Sequence, residues 1–140
     1  MTAGRFAGQK AIVAKNYEDG TKVLYTLIKK HRFPHLLIVG IARNPRTVKR
    51  SINKKKFIKR TGVKSFVKVV NQNHVIPTRF VVNDIDLKDV KEENIKSAEA
   101  RINLRKQLKT QLSNTYRNLP DPKTNEKAPH VRFFFSKLRF

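Results

Sequence analysis

The residues best suited to chemistry in this chain are cations that recur at short spacing without any neighbouring acid. Between Thr21 and Asn83 there are 16 Lys or Arg residues and no Asp or Glu. Their densest stretch, residues 43–64, holds Arg43, Arg46, Lys49, Arg50, Lys54, Lys55, Lys56, Lys59, Arg60 and Lys64. A solvated face usually intersperses both signs of charge, whereas phosphate groups recruit cations alone and release their counterions. The pattern therefore predicts a polyanion-binding segment.

The mixture of arginine and lysine favours nucleic acid as that polyanion. Arg can fork two donors onto one phosphate and can stack on bases, while Lys supplies compact charge that needs no fixed orientation. Because no helix-turn-helix pattern and no Cys/His finger is evident, we expect backbone binding rather than readout of base sequence. Phosphate attraction alone does not distinguish DNA from RNA, so a DNA-compacting protein is an alternative.

The histidines and carboxylates, which could bind a metal or take part in catalysis, lack the neighbouring residues that such sites require. His31 and His35 are four residues apart, but Pro34 lies between them and no nearby carboxylate completes a metal site. Asp84 and Asp86 are the nearest approach to a carboxylate pair, and capping or solvation explains them better, because no nucleophile, base and orienting group occur together. We therefore predict no enzyme activity, no metal, no cofactor and no small-molecule substrate.

The composition of the whole chain supports the same interpretation. Among 140 residues there are 32 Lys or Arg and 10 Asp or Glu, a formal net charge of +22. A small soluble domain usually carries a net charge of magnitude about 2–8. Such an excess repels itself, so a polyanion must screen it in the working state. Residues 46–62 could hold one or two helical turns, but we expect an extended or irregular segment that RNA orders.

Neither a membrane span nor a secretion signal is evident. The longest uncharged, largely apolar run, Phe33 to Ala42, has ten residues, whereas a membrane helix needs about 18 or more. The first residues form no hydrophobic signal region, and the chain has no cysteine for disulfides or zinc. A membrane-surface protein is a further alternative, but it would need a basic helix with a broad apolar face. We expect an intracellular protein with no membrane partner.

Short strands are the elements that must position the cations. Apolar, often β-branched runs predict five of them, namely Gly8 to Asn16, Val23 to Ile28, His35 to Ala42, Phe66 to Val70 and Phe80 to Val82. Glu18-Asp19-Gly20 predicts a tight hairpin turn between the first two. The core should contain Ile12, Val13, Ile38, Phe66 and Val70. These residues predict a β domain over residues 1–86.

A helix and a tail are predicted to follow this domain. Asp89-Val90-Lys91-Glu92 resembles a capping box, and a helix with a narrow apolar stripe should continue to about Tyr116, within residues 87–119. Three prolines then indicate an irregular connection in an extended tail, residues 120–140. Arg132 to Phe140 includes four Phe and one Leu. These side chains either return to the protein's own core or contact a neighbouring molecule.

Four segments, taken in order, resemble a known family. Gly4-Arg-Phe-Ala-Gly-Gln-Lys through Gly20 looks like a KOW motif, which several ribosomal and transcription-elongation proteins share. Val39 to Arg46 and Lys64 to Phe80 are similar to two internal segments of the family, and Phe134 to Phe140 resembles its C-terminal signature. The chain thus resembles the eukaryote-specific large-subunit ribosomal protein family numbered twenty-seven.

This resemblance implies a mainly β fold, a small SH3-like barrel with a helical extension and a tail. Large-subunit rRNA and neighbouring large-subunit ribosomal proteins would be the partners, in a cytoplasmic ribosome assembled in the nucleolus. Further RNA contacts near the barrel loops would come from Arg5, Lys10, Lys15 and Arg79. The family usually has another strand before Gly4-Arg5, so a barrel without its first strand is one alternative. The alternative function is that of a KOW-type or histone-like nucleic-acid-binding protein that acts in transcription or DNA compaction.

Overall fold

A three-stranded antiparallel sheet forms the centre of the computed structural model, which describes residues 1–17, 33–119 and 128–138. The strands are β1 (Ala11–Tyr17), β2 (His35–Arg43) and β3 (Lys64–Asn71), with β2 in the middle. Three predicted strands are therefore confirmed with small shifts of their ends. The predicted Val23–Ile28 strand, the Glu18–Gly20 turn and His31 lie outside the described residues.

Two register shifts and one close contact shape the sheet. The pairing slips between Val13 and Lys15 on β1 and between Ile41 and Arg43 on β2, and such irregularities bend and twist a sheet. At Gly40, an added Cβ would collide with the Phe66 ring on β3 and would lie 2.9 Å from the Lys10 carbonyl oxygen. Only glycine therefore allows the neighbouring segments to approach β2 so closely.

The two faces of the sheet are covered by different parts of the chain. On one face, Ile38, Phe66 and Val70 pack against the N-terminal segment, where the Phe6 ring stacks 3.9 Å from that of Phe66. The opposite face packs against a long helix and includes Leu37. Because strand side chains alternate, both faces of β2 are apolar and buried, as its sequence predicts.

In the described residues, four α-helices accompany the sheet, and the longest of these lies on it through a regular apolar row. Their bounds are α1 (Lys54–Thr61), α2 (Glu93–Lys96), α3 (Ala98–Arg117) and α4 (Ala128–Phe135). Along α3, Leu104, Leu108 and Leu112 are spaced four apart, so they share one side of the helix, and all three are buried. The long predicted helix is thus confirmed over most of its length.

The predicted start of that helix is wrong. The chain becomes extended at Ser97 between α2 and α3, and the Asp89–Glu92 capping box does not form. The Glu92 carboxylate instead lies 3.1 Å from Nε2 of buried His35, and the His35 ring also stacks on Tyr17 at 4.8 Å. A contact across the fold therefore takes the carboxylate that a capping box would use.

The C-terminal tail is helical where an extended segment was expected. Within α4, the apolar residues Val131, Phe134 and Phe135 recur at helical spacing and are buried. They share one hydrophobic cluster with Ile41 of β2 and Leu112 of α3. Of the two interpretations of these phenylalanines, the return to the protein's own core is correct for Phe134 and Phe135.

Three further expectations need correction. Residues 46–62 are irregular only up to Asn53, whose side-chain oxygen accepts from the Lys55 amide at 3.2 Å and begins α1, a two-turn helix. Residues 80–82 form no strand, because the Phe80 ring packs on Phe133 of α4 at 4.4 Å. Val13 is 46% exposed, although it pairs with buried Ile38, because it lies on an edge strand of the described sheet and outside the cluster that covers Ile38. Ile12 is only partly buried, packed against the core.

Side chains from distant parts of the chain cap the C-terminal end of α4. The Lys10 ammonium donates to the carbonyl oxygens of Phe133 at 2.6 Å and Ser136 at 2.9 Å, and lies 3.7 Å from the centre of the Phe133 ring. Asn44 donates to the Phe135 carbonyl at 2.9 Å. These donors bind carbonyls of the last turn and of Ser136 just beyond it, and the cation complements the helix dipole.

Replacing Leu112 with alanine tests the core. Because Leu112 is fully buried, Leu112→Ala should lower the free energy of unfolding by about 2–5 kcal/mol. Ile102 lies on the same helix but is 49% exposed, so Ile102→Ala should change it by no more than about 0.5 kcal/mol. Urea unfolding at moderate salt measures both values. Equal losses would contradict the packing of α3 described above.

Replacing Lys10 with methionine tests the cap on α4. Lys10→Met removes the ammonium but keeps an apolar side chain, and should lower the free energy of unfolding by about 1 kcal/mol. Lys15→Met, at an exposed position of the strand β1 that follows Lys10, is the matched control and should have little effect. Amide hydrogen exchange of residues 131–136 should quicken in the first variant alone. Unchanged exchange there would show that the cap contributes nothing.

Candidate nucleic-acid interface

The ten cations predicted within residues 43–64 are all exposed, and α1 with its flanking segments positions them. Lys54, Lys55, Lys56, Lys59 and Arg60 lie on α1, and the other five occupy the end of β2, the connection to α1 and the start of β3. We call these ten residues the α1 surface. Because a short helix and two strand ends hold them, the predicted site is one region of the fold and not merely one region of the sequence.

Hydrogen bonds fasten the irregular connection to α1. The Arg46 amide donates to the Arg60 carbonyl at 2.9 Å, and Nε of Arg60 donates to the Thr47 carbonyl at 3.2 Å. The Thr61 hydroxyl donates to the Phe57 carbonyl one turn back at 2.9 Å, and accepts from Nε of Arg117 on α3 at 3.1 Å. The connection, α1 and the end of α3 therefore support one another beneath the α1 surface.

The electrostatics of the α1 surface are unfavourable for the isolated protein. No described carboxylate lies within ion-pair distance of any of its ten cations. The first turn of α1 carries three lysines and no acid, although a helix N-terminus favours negative charge. The lysines thus repel one another and also lie at the helix end where positive charge is unfavourable. A bound polyanion would reduce both the mutual repulsion and the unfavourable interaction with the helix dipole.

The four additional predicted contacts are spread around the sheet. Arg5, Lys15 and Arg79 are exposed, and the Arg5 guanidinium lies 5.5 Å from the centre of the Phe6 ring. Lys10 differs, because its ammonium caps α4 and burial lowers its pKa. The structure therefore gives the Lys10 ammonium an intramolecular role and leaves the other three side chains accessible to a ligand.

Sequence reasoning missed further cations, on α3. Arg101, Arg105, Lys109 and Arg117 are exposed and recur at intervals of four residues or eight. The signal was available, because Arg105 and Lys109 each follow a leucine of the buried row by one position. It was overlooked because acids precede this helix in the sequence and dilute the local excess of charge.

An open cleft of about 780 Å³ lies between the α1 surface and α4. Its lining includes Arg43, Asn44, Tyr116, Arg132 and Lys137. The Tyr116 ring contacts Phe135 at 5.3 Å between ring centres, so an aromatic wall stands beside cationic side chains. The cleft extends the positive surface to the C-terminal end of α4.

The other titratable groups form no reactive arrangement in the part of the chain that the structure describes. No cluster of His, Cys, Asp or Glu there could hold a metal ion. Asp86 accepts from the Lys88 amide at 3.0 Å, so its carboxylate closes a local turn, and no helix begins there. Burial raises the pKa of the Tyr17 phenol, and the Glu92 charge adds to the shift. None of the described helices is both long and apolar enough to span a membrane.

Comparison with known proteins gives a full-length match. The family model of the ribosomal L27e protein family matches residues 1–140. Large ribosomal subunit protein eL27 of Tetrahymena thermophila is 44% identical over 143 residues, covering 100% of this chain and 92% of that protein. Its counterpart in Pyrobotrys stellatus is 36% identical over 140 residues, with coverage of 100% and 91%. The chain therefore belongs to the ribosomal L27e protein family, as its motifs predicted, and it is a structural ribosomal protein and not an enzyme.

Proposed function

We propose that this protein binds large-subunit rRNA through the α1 surface and neutralises phosphates so that RNA segments can pack together. Its other partners are neighbouring proteins of the large subunit. It works in the cytoplasmic ribosome after assembly in the nucleolus. The names of its relatives, which are large-subunit proteins, support this location. Arg5, Lys15 and Arg79 add peripheral RNA contacts, and Lys10 holds the C-terminal end of α4.

The observation that carries the proposal is ten exposed cations without a described carboxylate partner. Each phosphate that such a cation neutralises releases condensed counterions, and this release favours binding without any readout of sequence. Arginine and lysine are both present, so the surface can combine two-pronged contacts with unoriented charge. A surface of this kind suits the backbone of folded RNA, whose bases are largely paired and turned inward.

Exposed apolar side chains support the proposal of protein neighbours. Ile76 is 70% exposed, Val81 59% and Phe80 43%, all on the irregular segment after β3. Water contact with several large apolar groups in one short segment is unfavourable, and such patches commonly mark protein contacts. This segment lies apart from α1 in the sequence, so one molecule can contact RNA and protein with different parts.

We further propose that the sheet belongs to an SH3-like barrel of the KOW type. The two register shifts, which curve the sheet, support closure. A closed barrel protects those amides of β1 and β3 that point away from β2, because further strands accept from them. Hydrogen exchange followed by NMR measures this protection, with the β2 amides as the protected reference. Rapid exchange of every outward-pointing amide of both strands would show an open sheet.

Gradient sedimentation tests ribosomal RNA binding in cells. Tagged wild-type protein should sediment with large subunits and polysomes at moderate salt. The variant K55Q/K56Q/K59Q removes three exposed cations from α1, and several-fold less of it should remain on large subunits at high salt, because fewer phosphates hold it.

The matched control removes three lysines away from the α1 surface. Lys88, Lys91 and Lys96 are exposed and lie among acids, and Lys88 is 3.8 Å from Asp86. The variant K88Q/K91Q/K96Q has the same net charge as the α1 variant and should sediment like the wild type. Wild-type protein that migrates with chromatin or remains free would overturn the proposed function. Equal behaviour of the two variants would remove the α1 surface from it.

A further inference from the structure

The side chains of α3 divide into rows with different chemistry. One row, Leu104, Leu108 and Leu112, is buried in the core. The row one position later consists of Arg101, Arg105, Lys109, Ser113 and Arg117, which are spaced by four. The row one position earlier consists of Glu99, Asn103, Gln107, Gln111 and Thr115, so it carries one acid, in the first turn, and no cation. Residues four apart on a helix lie nearly above one another, so each row is a continuous strip.

Hydrogen bonds fix the direction in which the charged row faces. The Ser65 hydroxyl of β3 donates to the Arg105 carbonyl at 2.9 Å. The Val63 amide donates to the Ser113 hydroxyl at 3.2 Å, and Ser113 is the one buried member of the row. Arg117 reaches Thr61 at the end of α1. The cationic row therefore runs beside β3 and reaches α1, whereas the row without cations lies on the other side of the leucines.

The exposed cations of this row have no intramolecular function that explains them. Arg101, Arg105 and Lys109 are exposed, and no described carboxylate lies within ion-pair distance of them. Like charges four residues apart on a helix repel one another. Amides at these positions would avoid that repulsion, as they do in the neighbouring row. The asymmetry between the two flanks therefore requires a ligand on the charged side.

We infer that Arg101, Arg105, Lys109 and Arg117 form a phosphate-binding track that continues the α1 surface along α3 and holds the sugar–phosphate backbone of structured RNA. This inference rests on the proposed function and extends its site to a second element. The track is about 24 Å long, given a rise of about 1.5 Å per helical residue. Arg117 connects the α3 track to the α1 surface, because its side chain contacts Thr61 at the end of α1.

The track makes a quantitative prediction about salt. Full-length protein is titrated with a fluorescent A-form RNA duplex at several KCl concentrations, and log K is plotted against log salt. Each lost phosphate contact should reduce the slope by about 0.7–0.9. The variant R101Q/R105Q/K109Q should therefore lose about 2–3 units of slope, three times that contribution. The charge-preserving variant R101K/R105K should retain the wild-type slope, because it keeps every cation.

Two controls separate the track from general charge and from damage to α3. K88Q/K91Q/K96Q removes three cations elsewhere and should change the slope by less than one unit, because its lysines touch no phosphate. N103A/Q107A/Q111A alters three uncharged residues on the opposite flank of α3 and should leave the slope unchanged. Urea unfolding verifies that every variant is folded. Because the substituted side chains are exposed, we expect all of them to be folded like the wild type.

The outcomes distinguish this inference from the proposed function. If R101Q/R105Q/K109Q and K88Q/K91Q/K96Q lose the same slope, the α3 track does not exist. In that case a large loss in an α1 variant, K55Q/K56Q/K59Q, would still support the α1 surface. Wild-type binding without any salt dependence would overturn the proposed function itself. A loss confined to the α3 and α1 variants would establish one surface across both elements.

Discussion

Mutual repulsion among cations is the constraint that the rest of this structure must accommodate. The net charge is +22, and neither the α1 surface nor the exposed part of the α3 row has a described carboxylate partner. Cohesion therefore comes from apolar packing, concentrated in three clusters around the sheet. The cations remain at the ends of strands and on outward sides of helices, where their charge is best screened. The fold separates a small dry core from a large electropositive exterior.

That small core depends on help from the ends of the chain. Phe6 near the N-terminus covers one side of the sheet by stacking on Phe66, and α4 near the C-terminus adds its aromatic residues to the other side. The Lys10 ammonium joins the two regions. Lys10 thus links two distant segments of the protein. Burial disfavours its charged form and lowers its pKa, and hydrogen bonds to three oxygen acceptors offset part of that cost.

The sequence predicts most reliably those features that short-range patterns determine. β2 was found because its apolar run suits a strand buried on both faces, and the cationic segment because acids are absent from it. The helical form of α4 was not found, because Phe134 and Phe135 become buried only when Ile41 and Leu112 are brought beside them. The capping box predicted at Glu92 is wrong for the same reason, a long-range contact: the Glu92 carboxylate binds His35, which is 57 residues away in the sequence. The α3 row does not stand out in the sequence, because the acids that precede it dilute the local excess of positive charge.

The position of α4 in the chain has a consequence for synthesis. The cluster around Ile41 and Leu112 is complete only when residues 128–135 are present, and these are synthesised after Ile41 and Leu112. A nascent chain therefore presents the cationic surfaces and an incomplete core together, because domains fold as their residues emerge and long-range contacts form late. During that interval the chain can bind RNA non-specifically and is prone to aggregation. Protection by a binding partner would matter most before translation ends, and a chain truncated before α4 would retain its charge but lack a finished interior.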